Sequence, residues 1–290
     1  MKKLLSITLI FVMMSMLTAC GSRGSDNAST ANPSGNTAGD EVVTLRTCTQ
    51  SPDTNINTIV TRYFADRVSE LSDGKMEIEV YINAELGSEQ SVMEQVLTGT
   101  LEMAPISTSL LTNVVPETGI YSLPFLFPTM EAYAGVTGDP AFQEIIFNAI
   151  QEQTGAVCLG GITCIGRGVA NKSHPIETVD DLKGLKIRTI GSSAINEAFE
   201  AMGATVTSVA WKEVYTALQQ GLCDGEDSTV NSNLSMKFIE YNNYFTELNE
   251  IFQDQLLLVN GNVWAGLNTD QQAVLTQAAQ ALLFFDKLIF

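Results

Sequence analysis

The chain has 290 residues, 45% of them hydrophobic, with 33 acidic against 15 basic side chains and a formal net charge of −18. That length and apolar content furnish material for one or two buried cores. Lys and Arg gather into no stripe, which excludes a nucleic-acid partner, since phosphate binding needs a concentrated basic surface.

Lys2 and Lys3 precede an apolar run from Leu4 to Leu17 that is shorter than the ~20 residues a spanning helix needs. The run ends in Leu17-Thr-Ala-Cys20-Gly21, which resembles the lipobox of bacterial lipoproteins. The resemblance implies a signal peptide over residues 1–19, cleavage before Cys20 and a lipid on its sulfur. The mature chain would then be anchored at the outer face of the cytoplasmic membrane or in the periplasm, without spanning the bilayer. After Cys20, the stretch to Asp40 is Gly, Ser, Asn, Thr and Ala with almost no large apolar residue, so residues 20–40 read as lipid anchor and flexible tether. The reach of such a tether is on the order of 25 Å. Cys48, Cys158, Cys164 and Cys223 form no Cys-x-x-Cys pair. Apolar surroundings favour buried thiols, and the sequence leaves a disulfide open.

Alternating Val43, Leu45 and Thr47 predict a strand, and Ile56 to Leu71 repeats its apolar positions at the helical period. Asp73-Gly74 ends that helix. Met76, Ile78, Val80 and Ile82 alternate as a second strand, Ser88 caps a helix running to Gly99, and Leu101–Ile106 makes a third strand. Tyr121 to Pro128 is apolar but carries two prolines, which predicts an irregular packed connection. Asp139-Pro140 opens a helix whose inner face is Ile145, Ile146, Ala149 and Ile150. Gly155 to Ala170 reads as two short strands split by Gly160-Gly161, the place where the chain crosses between lobes.

A second alternating series follows: strands at 185–189, 205–208 and 223–227, with helices at 193–202 and 211–220 that stop at Gly203 and Gly221. Two successive α/β lobes result, and a cleft between them is the default site for a small ligand. Arg188 stands at the C-terminal end of a strand just before the Gly191-Ser-Ser helix start, where open α/β sheets hold ligands. An always-charged planar fork suits a carboxylate there.

Leu185-Lys-Ile-Arg188, Met202-Gly-Ala204, the run from Trp211 to Glu226 and Leu123-Pro-Phe-Leu-Phe127 resemble the solute-binding proteins of tripartite ATP-independent periplasmic (TRAP) transporters, the DctP-like family. The similarity runs from about Val42 to Asn268. It implies an α/β, two-lobed periplasmic-binding-protein-like (Venus flytrap) fold, with lobe one at 41–163, lobe two at 164–253, and 254–290 returning to lobe one and starting a lobe-spanning helix. It implies an organic-acid ligand, TRAP permease subunits as partners, and neither cofactor nor catalysis. Arg188 matches the arginine that pairs with the ligand carboxylate, Arg167 a second ligand-facing arginine, and Trp211 an aromatic beside the ligand. Glu89 matches an acidic position that accepts from ligand hydroxyls or waters. Ser107 and Thr49, with Cys48 beside it, fall where the first lobe reaches the cleft.

Two departures stand out. Ser228 stands where the family's turn usually has an asparagine, which removes a donor, and the adjacent Asp227 brings negative charge to the same place; both favour a sugar acid over a simple C4-dicarboxylate. Family members also continue for roughly 40 to 60 residues more, so a chain ending on Leu283–Phe290 reads as truncated, with apolar second-lobe surface left exposed. An exported hydrolase is the weaker alternative: His174 is the one histidine, it precedes Pro175, and no nucleophile elbow accompanies it. A ligand-sensing lipoprotein would use the same cleft.

Overall fold

A computed structural model of the chain describes residues 42–282, apart from the side chains of residues 163, 164, 253 and 254. The expected signal segment, lipid-anchor Cys20 and tether, and the terminal run from Leu283, lie outside the described residues.

The first elements are β1 (Val43–Cys48), α1 (Ile56–Leu71), β2 (Met76–Tyr81), α2 (Glu89–Thr98), β3 (Met103–Ser107), α3 (Thr108–Leu111), α4 (Met130–Thr137) and α5 (Pro140–Thr154). β4 (Val157–Asn171), β5 (Lys186–Thr189), α6 (Ser193–Ala201), β6 (Thr205–Ser208), α7 (Val214–Gln219), β7 (Gly225–Ser228) and α8 (Val230–Ser235) follow. β8 (Tyr244–Val259), α9 (Gly261–Gly266) and α10 (Thr269–Leu282) complete the described chain.

β1 and β2 form a parallel pair, and the other strands form one mixed sheet in the order β3-β8-β4-β7-β5-β6. β4 and β8 pair antiparallel over most of their 15 and 16 residues. At about 3.3 Å per residue each reaches roughly 50 Å, long enough to belong to both lobes. The first lobe lies at the β3 end, around clusters containing Val92, Met93 and Ile106, and Val60, Phe64 and Val68. The second lies at the β5-β6 end, around Ile187, Ile195 and Phe199, with Val214, Leu218 and Phe238 beside it.

Most predicted elements form because their apolar residues find one face to bury. Three readings are corrected. Gly155–Ala170 is one strand and not two: Gly160, at φ +129°, absorbs the register irregularity between Cys158 and Gly161 so that β4 runs on. Ile145 is 65% exposed, and Ile146 and Ile150 form the inner face of α5 without it. The helix expected from Trp211 starts as a single 3-10 turn, Trp211–Glu213, before α7. The exposed apolar residues of the second lobe include Val230, Leu234 and Ile239. Cys48 and Cys223 are buried thiols outside any disulfide.

Two backbone features position the site. A Cβ on Gly225 would lie 2.1 Å from the Ala170 carbonyl oxygen, so only glycine lets β7 lie this close against β4. Gly166 pairs with Phe252 but Gly168 with Glu247, so β8 bulges across from Arg167. Such a bulge re-aims side chains, and Glu250 sits within it.

Candidate functional site

Arg188, at the end of β5, is 2% exposed. Its Nε and Nη2 donate to the Val209 carbonyl oxygen at 2.9 and 2.6 Å. The guanidinium carbon lies 5.3 Å from the centre of the Trp211 ring, within cation–π range. Nη1 has no hydrogen-bond partner among the described residues, so both of its hydrogens and the second of Nη2 remain. This end-on edge can take a carboxylate through two parallel bonds.

The edge belongs to a cavity of about 40 Å³ between the lobes, lined by Arg188, Arg167, Ile190, Trp211 and Ser232 on one side. Thr49, Gln50, Ser51, Asn57, Glu89, Pro105 and Gln255 line the other. A volume of that size holds on the order of three waters.

The sequence-predicted residues divide. Arg188, Trp211, Glu89, Thr49 and Arg167 all reach the cavity wall. Arg167 is nevertheless committed within the protein: its Nε and Nη2 meet the Asp227 carboxylate at 2.9 and 2.8 Å, and Nη2 also donates to the Asp227 carbonyl. Asp227, 0% exposed, faces Arg167 and is absent from the wall. Ser228 is absent too, its hydroxyl donating to Glu226 Oε1 at 2.9 Å. The Ser107 side chain is buried just behind the wall, while its backbone N–H donates to Glu89 Oε1 at 2.7 Å. Gln50, Ser51, Asn57, Ser232 and Gln255 were not read from sequence. A buried polar residue inside an apolar strand is the one signal that could have marked Gln255, which is 6% exposed with Oε1 unpartnered.

Charge is concentrated beneath the cavity. Burial lowers the Arg188 pKa to about 10, against the opposing pull of Glu226 and with the like charge of Arg167. Burial raises Glu226 to about 7, opposed by the Ser228 hydrogen bond and by Arg188. Glu250, 3.9 Å from Arg167 Nε, is pushed up by burial and by the charge of Asp227. Burial also raises Glu89, against the hydrogen bond from the Ser107 N–H. With Arg167 matched by Asp227, and Glu226 and Glu250 inclined to hold protons, Arg188 is the cation left for a bound anion.

Glu226 has a consequence for stability. A carboxyl whose folded pKa lies above its ordinary 4.5 stabilises the fold fully below 4.5, and that contribution is lost as pH rises through about 7. Urea-unfolding free energy should fall between pH 5 and 8, with Glu226 contributing on the order of 3 kcal/mol. Glu226→Gln should flatten that slope; an equally steep slope in the variant would remove Glu226 as its source.

Two α/β lobes threaded by shared long strands, with a buried arginine at the cavity between them, have the architecture of extracytoplasmic solute-binding proteins. Residues 48–283 match bacterial extracellular solute-binding protein, family 7 (DctP), and the chain belongs to that family, one of binding proteins and not of enzymes. A solute-binding protein of Verminephrobacter eiseniae is 32% identical over 218 residues, 75% of this chain and 64% of that protein's length. The sugar acid binding protein DctPAm of Advenella mimigardefordensis, solved in complex with galactonate, superposes with a TM-score of 0.81 at 26% identity, covering 86% of this chain and 79% of that one. A TRAP periplasmic solute-binding protein of Sulfurospirillum deleyianum with bound succinate gives 0.78 at 26%, covering 85% and 79%.

Proposed function

We propose that this chain captures a hydroxylated organic monocarboxylate, such as a sugar acid, by closure of its lobes and delivers it to the membrane permease subunits of a TRAP transporter. The carrying observation is the free end-on edge of Arg188 facing a first-lobe wall of hydroxyl, amide and carboxyl groups. A ligand carboxylate on Arg188 would lose its hydration to a matched, preorganised fork. The other end of the ligand would meet Glu89, Gln255 and Thr49, where O–H donors find acceptors. A second carboxylate there would be repelled by Glu89 or force a proton onto it. Since about 40 Å³ admits a carboxylate and little more, a sugar acid enters with the lobes apart, and as they close the side chains of the first-lobe wall give way around its hydroxylated carbons while the seam between the lobes re-forms.

The relatives' ligands include both galactonate and succinate, so a titration decides. Galactonate and related aldonates or uronates should bind at least tenfold more tightly than succinate at pH 7.5 by calorimetry. At 100 times its Kd, the preferred acid should raise Tm by roughly 5–10 °C. Tighter binding of succinate, with no response to the hydroxylated acids, would overturn the choice. The lipid anchor belongs to the same proposal: Cys20→Ser should move the protein from the membrane fraction to the soluble one, and continued membrane fractionation would count against it.

A further inference from the structure

The first turn of α1 lies in the seam between the lobes. Helix N-terminal amides lack intrahelical acceptors, and the residue before the helix usually supplies one. Asn55 does so here, its Oδ1 accepting from the Asn57 N–H at 3.0 Å. The Ile56 N–H, however, donates to Asn231 Oδ1 at 3.1 Å, and Asn231 is 175 residues away on α8, in the second lobe. The same seam holds Asn55 itself, fully buried, whose Nδ2 donates to Ser235 Oγ at 2.9 Å. Nearby, Trp211 Nε1 donates to Ser51 Oγ at 3.1 Å, again from the second lobe to the first. Ser51, Asn57 and Ser232 in this seam also line the cavity, so the contacts that join the lobes adjoin the ligand wall.

We propose that Asn231 is a positioning residue for ligand capture, capping the first turn of α1 across the cleft and so setting the population in which Arg188 and the first-lobe wall face one ligand. The inference rests on the carboxylate-capture reading of the cavity. With the lobes apart, the Ile56 amide and the Asn231 oxygen return to water, so the bond favours the closed arrangement alone. Apparent affinity scales with the fraction of molecules in the competent arrangement. Loss of one such hydrogen bond corresponds to about a fivefold change in that equilibrium. Asn231 touches no ligand in this scheme; it acts through α1.

The test compares full-length wild type with Asn231→Ala and Asn231→Asp, using small-angle scattering without added ligand and calorimetry with D-galactonate. Asn231→Ala should shift scattering towards a larger radius of gyration and weaken galactonate by up to about fivefold. Asn231→Asp, which keeps an acceptor and complements the helix dipole, should restore both. Unchanged scattering with an affinity within twofold of wild type would overturn the proposal. So would a loss in the alanine variant that the aspartate fails to rescue. If wild type binds neither galactonate nor succinate, the carboxylate reading fails, while the scattering comparison still decides the role of Asn231; if it binds succinate alone, the same comparison of affinities is made with succinate. Should Asn231→Ala not fold, Asn231→Ser, whose shorter side chain withdraws the acceptor from the Ile56 N–H, carries the same test, with Ser235→Ala, which removes the nearer acceptor of Asn55 Nδ2, testing the seam beside it.

Discussion

Arg188→Ala should reduce carboxylate affinity by between about 30-fold and several thousand-fold, the range for removing one member of a desolvated, hydrogen-bonded charge pair. The size of the effect follows from what surrounds the side chain. Arg167, the other cation buried among the described residues, is bound side-on by Asp227 and cannot take over without breaking that pair. Arg188→Lys keeps a positive charge but replaces a fixed fork with a point charge on a flexible stem. It should lie between the two, roughly tenfold to 100-fold weaker than wild type. The alanine variant also leaves the Val209 carbonyl without its two donors, so a modest fall in Tm should accompany the lost binding. Calorimetry with the acid preferred by wild type checks the assignment. Near-wild-type affinity in a folded Arg188→Ala protein would place the anion site elsewhere.

Residues that depend on their neighbours in the chain were legible in the sequence. The alternation of strand and helix, the cap at Ser88 and the location of Arg188 at a strand end all follow from local pattern. Residues whose role is set by a distant partner were not. Asp227 and Ser228, on β7 beside the strand of Arg188, stand where the family's motif holds the ligand, which made them ligand candidates. Yet Asp227 is turned to Arg167, 60 residues earlier, while Ser228 turns inward to Glu226, two residues back on the same strand. β8 escaped prediction because Tyr244–Val259 has no sustained alternation: it bulges at its middle and is buried on both faces from Gln255 to Val259. Gln255 went unread with it. The interlobe contacts of Ser51 and Asn231 could not be found by periodicity either, since they pair loop and helix ends that meet only through the two long strands.

Asp227→Asn should destabilise the protein by about 3–5 kcal/mol near pH 5, because it takes from the buried Arg167 the carboxylate that meets its Nε and Nη2. For a domain of this size that corresponds to a fall in Tm of roughly 6–20 °C. The loss should shrink as pH rises, for a reason built into the bulge of β8. Glu250 lies 3.9 Å from Arg167 Nε, and its pKa is held up by burial first and by the charge of Asp227 next. Removing that charge leaves the attraction of Arg167, so Glu250 should ionise more readily and partly replace Asp227 as pH rises. Asp227→Asn combined with Glu250→Gln should therefore lose the recovery at high pH, and the two substitutions should couple by 1 kcal/mol or more. Ligand affinity separates this account from the one suggested by sequence position. If Asp227 supports the floor of the site, Asp227→Asn should alter Tm far more than Kd measured well below Tm. A tenfold loss of affinity at unchanged Tm would instead make Asp227 a ligand contact, and would require the Arg167 pair to open when the ligand enters.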